Sequence, residues 1–248
     1  MNRSRIALVT GGTGGLGTAI CKSLADIGYR VIANYHPDFG EQAHNWQEER
    51  QGEGYAYDIV AGDVSSLDSS RAMLDDLDSA GMPIDCLVNN AGITRDATLR
   101  KMIPEHWEAV INTNLNSLYN VTQPLVEGMM SRGFGRIINI SSLTGQTGNY
   151  GQTNYAAAKA GVQGFTMALA REVAASGVTV NSISPGFIGT EMVMAMPEEV
   201  REKVTSMIPA GRLGKPEEIG RTVAFLAHED AGYITGADHS VNGGLWMG

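Results

Sequence analysis

A run of glycines wedged between a short apolar stretch and a helical one constrains this chain more than any other feature. Arg5-Ile6-Ala7-Leu8-Val9-Thr10 has the length and branched apolar character of a buried parallel strand. It runs straight into Gly11-Gly12-Thr13-Gly14-Gly15-Leu16-Gly17, and Thr18 to Gly28 follows with helical apolar spacing and a terminal glycine. Such a turn lets backbone approach a ligand closely, while N–H groups and the positive helix end point at the same spot. A dinucleotide pyrophosphate suits that cradle; read alone, the glycines also allow a purely structural turn.

The rest of the chain alternates. Further strands are expected at Arg30–Tyr35, Tyr55–Asp63, Cys86–Asn89, Arg136–Ser141, Thr179–Ser184 and His239–Asn242, with helices near 41–51, 67–80, 105–131, 154–175 and 217–227. That order predicts right-handed βαβ units in an α/β fold. The expected architecture is a Rossmann-type, doubly wound parallel sheet of about seven strands with helices on both faces. No linker, repeat or low-complexity segment divides the 248 residues, so one domain over 1–248 is expected. A net charge of −9 with no basic run argues against a nucleic-acid partner. No apolar stretch is long enough for a membrane span, and the first strand begins too early to leave room for a signal peptide. Cys21 and Cys86 lack ligand-like spacing, so neither a metal nor a disulfide is expected, and a reducing, cytoplasmic setting is favoured.

Chemistry enters at Asn154-Tyr155-Ala156-Ala157-Ala158-Lys159. A Tyr and a Lys four residues apart share one helix face. A phenol titrates near ~10 and is a reluctant acid or base at neutrality. A nearby cation favours the phenolate and brings it toward the working range. Ser142 closes the apolar strand Arg136-Ile137-Ile138-Asn139-Ile140-Ser141. Ser142, Tyr155 and Lys159 resemble the catalytic triad of the short-chain dehydrogenases/reductases. Thr10, Gly11, Gly15 and Gly17 match that family's Thr-Gly-x-x-x-Gly-x-Gly turn.

The resemblance runs from Thr10 to Gly244 and implies specific roles. A nicotinamide cofactor would lie against Gly11, Gly12, Gly15, Leu16 and Gly17, then Tyr35 after the second strand and Asp63-Val64 after the third. Asp63 would hydrogen-bond the adenine; it also suits the turn before Ser65-Ser66-Leu67, and both roles can hold. Asn90, Ala91 and Gly92 would flank the adenosine and ribose, and Pro185, Gly186, Ile188 and Thr190 would cover the nicotinamide. Tyr155 would protonate a substrate carbonyl that Ser142 also bonds. Lys159 would lower the Tyr155 pKa and hold the ribose, and Asn114 would complete a proton relay. Asn114 can equally be a mid-helix polar group bonding backbone.

Between Arg30 and Arg50 there is no Lys or Arg, whereas Asp38 and Glu41 are present, which favours NADH and leaves NADPH as the alternative. A protonated His36 or His44 is the available cation there. The segments Asn90 to Asp96, Gly151 to Tyr155, Gly164 to Ala170 and the ending Asn242-Gly243-Gly244-Leu245-Trp246-Met247-Gly248 look closest to family members that reduce 3-oxoacyl thioesters. Acetoacetyl-CoA, as in polyhydroxyalkanoate synthesis, is the first expectation and an acyl-carrier-protein thioester of fatty acid synthesis the alternative. A non-catalytic regulatory role is a third, disfavoured by retention of Asn114, Ser142, Tyr155 and Lys159 together. Asp96, Lys101, Asn149, Tyr150, Gln152 and Phe187 join Ser142 and Tyr155 as expected substrate contacts. Arg100 and Lys101 would meet CoA phosphates or form a solvated pair. Met192, Met194, Met196 and Met207 mark 188–212 as a mobile lid or as core filler. The helices at 105–131 and 154–175 carry many small and apolar residues; the resemblance implies that they pair across a dimer interface and that Leu245-Trp246-Met247 buries across a second, giving a homotetramer.

Overall fold

The computed structural model describes residues 4–247. Residues 1–3, Gly248 and the side chain of Met192 lie outside the described residues. The strands β1 (Ile6–Val9), β2 (Arg30–Tyr35), β3 (Asp58–Ala61), β4 (Cys86–Asn89), β5 (Gly135–Ile140), β6 (Val178–Pro185) and β7 (Asp238–Val241) form one sheet. Their order is β3-β2-β1-β4-β5-β6-β7, and every pairing is parallel. The direction of winding reverses between β1 and β4, which opens a crevice at their carboxyl ends.

The helices are α1 (Gly15–Asp26), α2 (Gly40–Gly52), α3 (Leu67–Ser79), α4 (Pro104–Ile111), α5 (Ser117–Ser131), α6 (Leu143–Thr147), α7 (Thr153–Val173), α8 (Glu191–Met194), α9 (Glu198–Met207) and α10 (Pro216–Ala227). Alternation along the strands divides the core between two faces. Ala7, Val9, Val31, Val88 and Ile138 meet Ile20 and Leu24 of α1 and Ile219, Val223 and Leu226 of α10. Leu8, Ile32, Leu87 and Ile137 turn the other way, onto Leu74, Leu77, Val121, Met129, Ala170 and Val173 of α3, α5 and α7. Each such side chain contributes roughly 1.5–3 kcal/mol on burial, so the two layers fix the helices to the sheet. Among the described residues no helix is long and apolar enough to cross a membrane.

Two expected elements change. The third strand is shorter than Tyr55–Asp63, because pairing with β2 begins only at Asp58. Tyr55 instead stacks on Tyr57, and Tyr57 on Trp46 of α2, at centroid distances of 5.5 and 5.2 Å. The long helix expected at 105–131 is interrupted by a π turn, Asn112–Asn116, between α4 and α5. A π turn inserts one residue into the ladder and re-aims a side chain. Here Asn114 lies within it.

Candidate active site

The glycine turn is shaped by what its residues lack. A Cβ on Gly12 would stand 2.8 Å from the Ala33 Cβ and 2.9 Å from the Val9 carbonyl, and one on Gly17 would fall on the Gly11 carbonyl. Gly11 has φ +60° and lies against Ala91, 3.1 Å from where its Cβ would be. Thr10 and Asn90 lock the turn to the next strand end. Thr10 Oγ1 accepts the Asn90 and Ala91 N–H groups at 2.9 and 3.1 Å, and Asn90 Nδ2 donates to the Thr10 and Gly11 carbonyls. Across the crevice Thr190 faces Gly15, its Cβ 3.9 Å from an ideal Cβ there. A cradle that a Cβ would fill, at a helix N-terminus, fits a dinucleotide. Leu16 follows Gly15 in the first turn of α1, and Pro185, Gly186 and Ile188 lead from the end of β6 to Thr190. Val64 is buried in the core with its carbonyl accepting from Asn120 Nδ2 at 2.9 Å, and Asn90 spends its amide on the turn.

Ser142 caps α6 and its Oγ accepts the Thr144 N–H at 3.1 Å. Burial pushes the Tyr155 phenol pKa up, the Ser142 hydroxyl restrains it, and the Asp96 carboxylate adds a smaller upward push. The net direction is upward. This departs from the expected lowering by Lys159, whose Nζ lies 5.7 Å from the ring centroid and donates to the Ile140 carbonyl at 2.7 Å. Lys159 is itself buried, and desolvation lowers its pKa to about 8. Asn114, fully buried, accepts the Ile93 N–H and donates to the Ile93 and Val110 carbonyls at 2.9 and 2.8 Å. An ideal Cβ on Gly92 would stand 2.6 Å from Asn114 Oδ1 and 3.6 Å from Lys159 Nζ, so a bare glycine lets the two approach.

On the substrate side, Gln152 joins Asp96 to Asn149, donating to Asp96 Oδ2 at 2.9 Å and accepting from Asn149 Nδ2 at 2.9 Å. Tyr150 beside them is 89% exposed, free to meet a ligand. Phe187 is half-buried after β6, and Lys101 is exposed on the turn Leu99–Lys101 beside Arg100. A cavity of about 420 Å³ lies between α8 and α9, lined by Met194, Arg201, Thr205, Ile208 and Leu213 and by none of the catalytic candidates. On the adenosine side, Tyr35 ends β2 and His36 follows between two acids. His36 Nδ1 is 3.5 Å from Asp38 and Nε2 is 3.8 Å from Asp63. Asp63 accepts the Ser65 N–H and hydroxyl, which supports its turn role. His44 is tied to the Gly40 carbonyl within α2.

Two asparagines escaped sequence reading. Asn34 accepts the Gly11 N–H at 3.3 Å and donates to the Gly62 carbonyl at 3.0 Å, joining the glycine turn to the loop after β3. Asn154 donates to the Arg95 and His106 carbonyls and accepts the Tyr155 N–H, anchoring the start of α7. A buried amide in an otherwise apolar strand was the available signal for Asn34.

Comparison with known proteins agrees with this geometry. The family model described as Enoyl-(Acyl carrier protein) reductase matches residues 11–246. An acetoacetyl-CoA reductase of Allochromatium vinosum is 55% identical over 98% of this chain and 99% of its own length. A 3-oxoacyl-[acyl-carrier-protein] reductase of Haemophilus influenzae is 46% identical over 99% of both. A crystal structure of a putative gluconate dehydrogenase from Agrobacterium tumefaciens superposes with a TM-score of 0.93 at 34% identity, covering 97% of this chain and 95% of that one. Matched by the family model over residues 11–246 and by a relative 55% identical over 98% of its length, the chain belongs to the short-chain dehydrogenase/reductase family.

Proposed function

We propose that the protein reduces a 3-oxoacyl thioester, acetoacetyl-CoA to 3-hydroxybutyryl-CoA, with a reduced nicotinamide cofactor, the step that supplies polyhydroxyalkanoate synthesis. The observation that carries this reading is the Ser142 hydroxyl acting on the Tyr155 phenol beside buried Lys159, near the glycine cradle. Membership of the family implies a nicotinamide cofactor. Gly11, Gly12, Gly15, Leu16 and Gly17 would hold its pyrophosphate, and Asn90, Gly92, Lys159 and Thr190 the rest. When bound it supplies the hydride.

This chain's residues handle the proton and the oxygen. Burial keeps Tyr155 protonated near neutrality, the form needed to donate to the carbonyl oxygen as charge develops there. Ser142 donates to the same oxygen, an interaction that strengthens toward the transition state. Lys159, charged below about pH 8, supports the transient phenolate. Asn114 holds the main chain at Ile93, next to Lys159, where it serves the relay that reprotonates the site.

Asp38 and Asp63 beside His36, with Glu41 in the first turn of α2, support NADH over NADPH, since a 2′-phosphate would meet repulsion without a fixed cation. The segment 188–212, containing α8 and α9, is proposed to close over the thioester arm. Exposed Tyr119 and Met167 on α5 and α7, and Phe225, Tyr233 and Met247 elsewhere, support assembly into a homotetramer. A monomeric mass by light scattering would exclude it.

An acyl-carrier-protein thioester is the second reading, favoured by the Haemophilus influenzae relative. It calls for a basic landing surface; Arg95, Arg100 and Lys101 follow β4, whereas Arg132 is tied to Ile84 and Asp85 ahead of that strand. Steady-state assays of acetoacetyl-CoA and the carrier-protein form, each with NADH and NADPH, test both. Preference for the CoA ester upholds the first reading, and turnover of neither ends both.

A further inference from the structure

We infer that Asp238 and Gln146 form a strut that positions Ser142 for the reduction. The role rests on the reductase reading above. The physical problem it solves is that α6 has only five residues, too few to hold a helix unaided. Its N-cap is Ser142, whose hydroxyl must serve the cap and face Tyr155 together. Something outside α6 has to fix its direction.

At the far end of α6, Gln146 Nε2 donates to Asp238 Oδ2 at 2.7 Å and to Ser240 Oγ at 2.9 Å, both on the edge strand β7. Asp238 is held in turn by β6. It pairs in register with Ser182, accepts the Ser182 hydroxyl at 2.7 Å and takes the Ser184 hydroxyl at 2.8 Å. Hydrogen bonds to a carboxylate are roughly twice as strong as neutral ones, so three donors converging on one group make a stiff joint. The opposite side of α6 is closed by α7. A Cβ on Gly145 would stand 2.7 Å from the Lys159 carbonyl carbon, so α6 packs directly on the backbone that carries Lys159. Ser141, just before the cap, donates to the Lys159 carbonyl at 2.8 Å. Held at both sides, α6 has one orientation. Without Gln146 on Asp238 it is free to tilt, and Ser142 moves with it. Asp238 and Gln146 touch neither substrate nor cofactor in this scheme; they are positioning residues.

The test is a charge-exchange cycle. Gln146→Glu sets a carboxylate against Asp238 and should lower kcat by roughly tenfold or more, the scale of one charged contact reversed. NADH binding, read by fluorescence titration, should stay unchanged. Adding Asp238→Asn gives the new carboxylate an amide donor and should recover most of the lost kcat, as coupled neighbours do. Gln146→Leu, neutral and of similar size, should show a smaller loss of the same kind. Because the Ser142 hydroxyl restrains the Tyr155 pKa, the acid limb of kcat in the oxidative direction, where Tyr155 acts as the base, should move up in the single variants. Amide exchange at residues 143–147 of the free protein should quicken in Gln146→Glu, and it requires no substrate. Wild-type protein idle toward acetoacetyl-CoA would therefore break the reductase reading while leaving the strut to be judged by exchange. Unaltered exchange and kcat in Gln146→Glu, or a double variant no better than the single, would overturn the strut.

Discussion

The glycine cradle after β1 and the Ser142 platform after β5 occupy the same sheet edge, yet they are built by opposite means. The cradle is contiguous, Thr10 to Gly17, and its shape comes from side chains that are absent at Gly12 and Gly17. The platform is assembled from β5, β6, β7, α6 and α7, and its longest tie, Gln146 to Ser240, spans 94 residues. A site of the first kind fails when atoms are added. One of the second kind fails when a single partner is removed or recharged.

Substitutions on the two regions should accordingly separate chemistry from binding. Tyr155→Phe removes the proton donor and should lower kcat by ~10²–10⁴-fold with cofactor affinity intact. Weaker NADH binding in that variant would merge the two regions. Gly17→Ala should do the reverse, because its Cβ falls on the Gly11 carbonyl. Displacing that backbone costs ~1–3 kcal/mol, so the NADH Kd measured by titration should rise roughly ten- to a hundredfold.

Glu41→Arg tests the far end of the cradle. It replaces repulsion by a phosphate partner and should move the NADPH-to-NADH ratio of kcat/KM toward NADPH by one to two decades, at ~1–3 kcal/mol per charged contact. A wild-type NADPH advantage of about tenfold would remove the basis for that expectation.

The platform has its own pH signature. Burial lowers Lys159 from the ordinary lysine value to about 8, so it is charged below that pH and neutral above it. The kcat/KM for reduction should be flat through neutrality and decline about tenfold per unit above pH 8. A profile level to pH 10 would mean that the lysine charge does not assist Tyr155. Because folding depresses this pKa, the same group disfavours the folded state at low pH, and that penalty fades as pH rises from about 8 toward the unfolded value. The smallest expected effect is Trp46→Phe. It deletes the 2.8 Å bond from the indole N–H to Thr18 Oγ1 in the first turn of α1. A loss of ~1 kcal/mol, or about 2–4 °C in Tm by calorimetry, is expected without change in kcat.

The sites were legible to different degrees for related reasons. Gly11, Gly15, Gly17, Tyr155 and Lys159 stand close together in sequence with fixed spacing, and the structure brings them to one crevice. Asp96, Asn149 and Gln152 are joined to one another by hydrogen bonds. Asn34, Asn154, Gln146 and Asp238 were unreadable, since each acts through a partner tens of residues away. The π turn at Asn114 hid inside an ordinary helical pattern. The stacking of Tyr55, Tyr57 and Trp46 ended a strand that composition alone extended.

From sequence alone came the strand and helix alternation, the parallel sheet that follows from it, and the residue types able to move a proton. These are local properties: apolar periodicity, glycine tolerance and the pairing of a phenol with an amine one helical turn away. Only the tertiary structure decided the charge states and aim of those groups. Burial raises the Tyr155 pKa and lowers that of Lys159, and β7 gathers α6 under Ser142. Desolvation and long-range hydrogen bonds depend on which segments pack together, and that appears only when the whole sheet is assembled.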